Sequence, residues 1–269
     1  MPNGFQVDYR DWNDPTPRVP LNFSMYPGDS DRGSYPLTPT TGIEGCFRNE
    51  TLTCDAVESS DAHAIVVDER TCTLHELFGA DARQTAPGAA PPGFSQGVWQ
   101  AKNAAVFQLG WNGLSQSQQR PRCETSADAA GLPIYPGLVL YDEVWTAGAI
   151  EHALRVTAKF SRKAFIAPAV HYASYSTNAS WVPMGLRLRM KRDYNCSATP
   201  ELRDSRPAQV LCAAMKKYGL IVADNGLAWD LSGAHDPRWS DDALHMVVEI
   251  RGDAFEAVWT GEAQEGVCG

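Results

Sequence analysis

Met184-Gly-Leu-Arg-Leu-Arg-Met-Lys191 alternates residue by residue: Met184, Leu186, Leu188 and Met190 fall on one side, Arg187, Arg189 and Lys191 on the other. A period of two belongs to an antiparallel strand with one face in a core and the other in water. Residues 149–160 repeat the pattern, with Ile150, His152, Leu154, Val156, Ala158 and Phe160 opposite Glu151, Arg155, Thr157 and Lys159. Shorter apolar runs bounded by turn residues predict further strands at 64–67, 71–78 (alternatively a helical turn), 104–109, 138–141, 164–172, 220–223, 228–231 and 254–259. Pro168 marks the run 164–172 as an edge or a bulge.

Helical signals are few. Ser205 or Asp204 can cap a helix reaching Tyr218, whose apolar side is Val210, Leu211, Ala214 and Met215. Gly219 follows where a left-handed residue ends a helix. Ser240 can cap a second short helix, with Asp241 and Asp242 at its positive end. Residues 1–45 are rich in Pro, Gly, Asp and Ser with scattered rings, which predicts a long irregular arm. The expected architecture is mostly β: a jelly-roll-like antiparallel β-sandwich over 46–269, with two or three short peripheral helices, behind that 1–45 arm.

The chain has 269 residues, 43% of them hydrophobic and 20% charged. No run approaches the ~18 apolar residues of a membrane span. Lys and Arg number 23 against 32 Asp and Glu, a net charge of −9. Such a balance argues against general nucleic-acid binding, which needs a cationic surface. Seven cysteines, at 46, 54, 72, 123, 196, 212 and 268, form no C-x-x-C pair. Cys46 and Cys54 flank a short polar loop that a local disulfide would staple, and the odd count leaves a thiol over. Four of the nine asparagines, Asn22, Asn49, Asn178 and Asn195, begin Asn-x-Ser/Thr sequons. The excess of sequons and the cysteines together predict a secreted, extracellular glycoprotein with disulfide bonds. Met1-Pro2 is followed by no signal-peptide pattern, so the expectation is a mature chain whose signal has been replaced by a start Met.

Charge is unevenly distributed. Residues 155–192 hold eight cations and no carboxylate, so the remainder of the chain stands at −17. Arg187, Arg189 and Lys191, at roughly 7 Å spacing along a strand, would form a cationic ladder. With Trp181 nearby they suit an extended anionic ligand, a polysaccharide or oligosaccharide. The same ladder read plainly is a solvated strand face.

No motif of a known reaction is present: G-x-S-x-G, H-E-x-x-H, G-x-G-x-x-G and the P-loop are all missing, and no cofactor or metal is expected. What remains are acids and histidines at strand ends. Asp142 and Glu143 close one strand, and Glu151 and His152 follow. His171 and Tyr172 end another, and Asp224 and Asn225 stand in a turn before the Asp236 segment. Paired carboxylates suit a glycoside hydrolase. His and Tyr, with Arg neutralising a uronate, suit a polysaccharide lyase instead. Asp142, Glu143, Glu151, His152, His171, Tyr172 and Asp224 are thus the candidate catalytic residues; Arg187, Arg189, Lys191, Trp181, Asn225 and Asp236 are the candidate substrate contacts. A non-catalytic glycan-binding or cell-wall matrix protein would keep the rings and cations alone.

The stretches Ile150-Glu-His-Ala-Leu-Arg-Val-Thr, His171-Tyr-Ala-Ser, Met184-Gly-Leu-Arg-Leu-Arg-Met-Lys, Met215-Lys-Lys-Tyr-Gly-Leu-Ile-Val-Ala-Asp-Asn-Gly and Asp236-Pro-Arg-Trp-Ser-Asp-Asp-Ala-Leu resemble a family of uncharacterised secreted bacterial proteins. The resemblance runs over roughly residues 61–258. It implies an extracellular protein with a mostly-β body, and no activity or catalytic residue comes with it.

Overall fold

In the computed structural model the described residues are 4–16, 18–38, 40–45, 61–81, 99–110, 120–228, 230–240 and 250–268. Cys46, Cys54 and the helix expected after Ser240 lie outside them. The structure is mostly β, 31% strand against 14% helix, as the alternation requires. The chain divides into two compact units: one of residues 5–120 and 124–128, the other of 1–4, 121–123 and 129–269. The expected boundary at 45/46 lies inside the first of these.

In the first unit, strands β1 (Val7–Arg10), β4 (Ala64–Asp68), β5 (Thr73–Phe78) and β7 (Asn103–Gln108) form one sheet, in the order β1-β4-β5-β7. A second sheet joins β2 (Val19–Phe23), β3 (Ser34–Tyr35) and β6 (Trp99–Ala101). Ile65, Val66, Leu74 and Leu77 are fully buried. Residues 1–45 are therefore not simply an irregular arm. Val7–Arg10 adds to the edge of β4, and Arg10 is buried there, donating to the Pro36 carbonyl and the Thr41 hydroxyl. Density of Pro and Gly obscured strands only two to five residues long.

The second unit carries the remaining strands: β8 (Leu154–Ala158), β9 (Ser161–Phe165), β10 (Val182–Met184), β11 (Arg187–Met190), β12 (Leu220–Asn225), β13 (Phe255–Val258) and β14 (Gln264–Glu265). They form two sheets, β13-β11-β12-β8 and β10-β9-β14. Helices α1 (Pro200–Asp204) and α2 (Arg206–Lys217) lie between β11 and β12. Ser205 caps α2, its hydroxyl accepting from the Ala208 N–H. Val210, Leu211, Ala214 and Met215 of α2 join the buried core with Leu154, Val156, Met190 and Val222.

Each of the four sheets contains a parallel pair, β1/β4, β2/β6, β9/β10 or β8/β12, beside antiparallel ones. This departs from the purely antiparallel sandwich expected. Alternation reports which face is buried and is blind to the direction of the neighbouring strand. The Met184–Lys191 stretch also breaks. Gly185 (φ +78°) sits in the left-handed region where a Cβ would come within 2.0 Å of the Ile166 carbonyl oxygen. Met184 consequently pairs with β9, while Arg187–Met190 pairs with β12 and β13. Residues 138–141 are not a strand: Val139 makes an isolated bridge to Gly233, and of the described residues in the expected strand 228–231, Leu231 makes an isolated bridge to Val156. Asp224 and Asn225 lie within β12, not in a turn.

Candidate functional site

Two segments of the second unit come together where the expected strands fail. The Val139 N–H donates to the Ser232 carbonyl and the Ala234 N–H donates to the Val139 carbonyl, both at 3.0 Å, tying residues 139–152 to 232–239. A π-helical turn over Glu143–Ala147 closes at Gly148, whose φ of +72° lies in the left-handed region that favours glycine. The first residue of α2, Arg206, donates from Nε to the Val144 carbonyl at 2.9 Å and fixes that turn.

Arg238 is the centre of the arrangement. Its guanidinium lies 4.0 Å from the centroid of the Tyr141 ring. Its Nη1 donates to Asp142 at 3.0 Å, and its Nη2 and Nε donate to Asp236 at 2.6 and 2.9 Å. Thr146 adds a hydroxyl bond to Asp142 at 3.0 Å. These bonds to Arg238 hold both the Asp142 and the Asp236 carboxyls below the usual carboxylate range and push the guanidinium up in turn. Tyr141 also packs edge-on against Trp239, centroids 5.1 Å apart, and lies 6.2 Å from Trp145. Trp145, 37% exposed, faces the Arg206 guanidinium at 5.9 Å. The result is a surface of rings and ionised carboxylates.

Beside it, His152 Nε2 is 3.0 Å from Glu143 Oε1 and Nδ1 is 3.0 Å from the Ala153 carbonyl. Glu143 is itself oriented by the Leu140 N–H, which donates to Oε2 at 3.2 Å. Both ring nitrogens face acceptors, so both bonds form together only in the imidazolium. Burial opposes that charge, but the bonds to Glu143 and Ala153 outweigh it and raise the histidine above 6.5. Glu151 is exposed immediately before it.

Four of the candidate residues, Asp142, Glu143, His152 and Asp236, are thus brought together. The rest have other surroundings. Tyr172 is buried, its hydroxyl donating to the Cys268 carbonyl at 2.6 Å and accepting from the Cys268 N–H at 3.0 Å. His171 Nδ1 lies 2.8 Å from the Ala129 carbonyl. Asp224 pairs with the buried Arg155, which also donates to Ser232. Asn225 is bound to Ser161 and Ala173. Arg187 caps α2 by donating to the Tyr218 carbonyl, Arg189 pairs with Glu256 of the neighbouring strand β13, and Lys191 is exposed. Trp181 stacks on Phe160. Sequence reasoning missed Tyr141, Trp145, Arg238 and Trp239; the available signal was two ring-and-charge clusters, 141–145 and 236–239.

Disulfides join Cys123 to Cys268 and Cys196 to Cys212, and Cys72 is a free, exposed thiol. Among the described residues no helix is long and apolar enough to cross a membrane, and no three His, Cys, Asp or Glu side chains are grouped to hold a metal ion. Compared with known proteins, the chain matches no family model, no curated protein and no solved structure.

Proposed function

We propose that the protein is a secreted carbohydrate-active protein, a glycoside hydrolase whose glycan-facing surface is built by Tyr141, Trp145, Asp142 and Asp236. The carrying observation is the half-exposed Trp145 ring beside Tyr141, flanked by carboxylates that Arg238 keeps ionised. Sugar rings present C–H faces that pack on aromatic faces, and hydroxyls that donate to carboxylates; binding sites commonly combine apolar lining with a few such polar groups. The two disulfides support the extracellular setting, since such bonds persist where the environment oxidises.

Hydrolysis needs a proton donor as well as an ionised carboxylate. Asp142 and Asp236 suit only the second role. The donor of this reading is His152, whose bonds to Glu143 and Ala153 favour the protonated ring; a glycosidic oxygen would have to take the place of Glu143 as acceptor at Nε2. Elimination is less favoured, because the Tyr172 hydroxyl already serves Cys268 and Arg187 already serves Tyr218. Non-catalytic glycan binding is the second reading, favoured by the full engagement of the Asp142 carboxylate with Arg238 and Thr146.

The test is a panel of plant, algal and bacterial polysaccharides scored for binding, for new reducing ends and for absorbance of unsaturated products. Trp145→Ala should weaken binding about five- to tenfold, the worth of one aromatic contact. His152→Gln should leave binding intact and stop release of reducing ends. Binding without release in the wild type would select the second reading. No binding to any polymer, or indifference to Trp145→Ala, would refute both.

A further inference from the structure

Parallel strands β9 and β10 are in register at Ser161 and Val182, which sets the preceding residues, Phe160 and Trp181, side by side. Their rings stack at 4.9 Å with an interplanar angle of 22°, yet Phe160 remains 53% exposed. Lys159 Nζ lies 5.5 Å from the Phe160 centroid. The adjoining segment runs along β9, with the Ser174 hydroxyl donating to the Ser161 carbonyl and the Lys163 N–H donating to the Ser176 carbonyl. It carries Tyr175, which is 95% exposed. An open stacked pair with a third ring nearby is more exposed aromatic surface than a solvated strand end calls for.

Its charge is equally lopsided. No carboxylate occurs anywhere from Lys159 to Trp181. Arg162 is balanced by Glu265 from β14, and Arg155 by Asp224 from β12. Lys159 and Lys163 have no ion pair among the described residues, in a chain that carries −9 overall. Rings to stack on and cations without counter-charges complement a ligand with apolar ring faces and negative groups.

We infer that Phe160, Trp181, Tyr175, Lys159 and Lys163 form a second binding surface, separate from the Tyr141–Trp145 surface, that takes an acidic polysaccharide of the uronate type. The inference rests on the carbohydrate reading above for the class of ligand and on this cluster for its acidity. Sugar faces lie on the Phe160–Trp181 pair, and carboxylates meet the two lysines, whose long stems let the ammonium groups follow successive residues of the polymer.

Affinity electrophoresis through gels containing polygalacturonate, with a neutral (1→4)-β-glucan for comparison, tests the inference. The wild type should be retarded at least fivefold more strongly by polygalacturonate, and added salt should remove most of the difference, because exposed charges are screened. Trp181→Ala should weaken that retardation at least fivefold and Trp181→Phe should restore most of it. Lys159→Gln with Lys163→Gln should abolish the preference for the acidic polymer. Trp12→Ala, which removes an exposed ring of the first unit outside both surfaces, should leave retardation by polygalacturonate unchanged. If Trp145→Ala removes that retardation and Trp181→Ala does not, the second surface is refuted and the first stands. Equal retardation by both polymers, or binding to phosphatidylserine vesicles in place of polygalacturonate, also overturns the inference.

Discussion

Gly219→Ala gives the most direct reading of how the helical segment is joined to the sheet. Gly219 holds φ at +80° just past Tyr218, the C-cap of α2, and its N–H donates to the Ala214 carbonyl at 3.2 Å while its own carbonyl accepts from the Leu154 N–H at 3.0 Å. It therefore both closes the helix and anchors the first residue of β8. A side chain there meets two obstacles. The left-handed conformation costs a non-glycine residue about 1–2 kcal/mol. A Cβ would also stand 2.2 Å from the Leu188 carbonyl oxygen. Because that oxygen belongs to the backbone of β11, relief requires a strand to shift, and overpacking of this kind costs about 1–3 kcal/mol.

Together the terms come to about 3 kcal/mol. At about 2–4 °C per kcal/mol for a unit of this size, the midpoint should fall by about 6–12 °C in thermal unfolding followed by far-ultraviolet circular dichroism. Gly219→Asn separates the two terms: asparagine tolerates the left-handed region and should regain about 1 kcal/mol, but its Cβ still meets Leu188. Gly28→Ala is the control, since a Cβ at Gly28 meets nothing within 4 Å and its φ is not positive. A Gly219→Ala midpoint within 1 °C of the wild type would refute the reasoning.

Two further outcomes follow from the geometry. His152 should titrate above 6.5, and Glu143→Gln should return it toward that value when its ring protons are followed by NMR. Its folded pKa is raised, so its contribution to stability is complete below pH 6.5 and disappears as pH rises through the folded pKa; a stability difference between wild type and Glu143→Gln that grew with rising pH would contradict the assignment. Cys196 and Cys212 are 16 residues apart, so Cys196→Ser with Cys212→Ser should cost about 3 kcal/mol by loop-closure entropy, read as a lower urea midpoint, and an unchanged midpoint would show the link carries no stability.

The sequence made α2 legible because every local signal agreed: Ser205 caps it, its apolar residues repeat at helical spacing and Gly219 stops it. Strands β4, β7, β11 and β12 were equally plain, since burial on one face or both writes itself into residue type, whereas the segment of β5 read as either a strand or a helical turn. Residues 138–141 misled for the same reason. Leu138 and Val139 are fully buried, as a strand would bury them, but they are buried in an irregular turn bonded to Ser232 and Ala234, almost a hundred residues on. Apolarity announces burial; the partner that satisfies the backbone is set by tertiary folding and leaves no mark nearby.

The same limit explains the charge map. A segment of 38 residues without a carboxylate reads as a surface kept free of acids for an anionic ligand, and for Arg155, Arg162 and Arg189 that inference fails. Their partners, Asp224, Glu265 and Glu256, arrive from β12, β14 and β13, each placed by sheet pairing at separations no local window spans. Arg187 is met by a carbonyl, which no count of charges registers. Once those four are assigned, the cations that remain in the 155–192 segment are Lys159, Lys163, Lys191 and Arg192. Lys159 stands just before β9, over the Phe160 ring that stacks on Trp181, and Lys163 lies within β9. The excess charge seen in the sequence is therefore real but smaller than it looks. What selects its location is the register of β9 against β10, which sets Phe160 beside Trp181 with Lys159, without an ion pair among the described residues, over the Phe160 ring, and leaves the Arg187–Lys191 ladder largely engaged in holding its own sheet together.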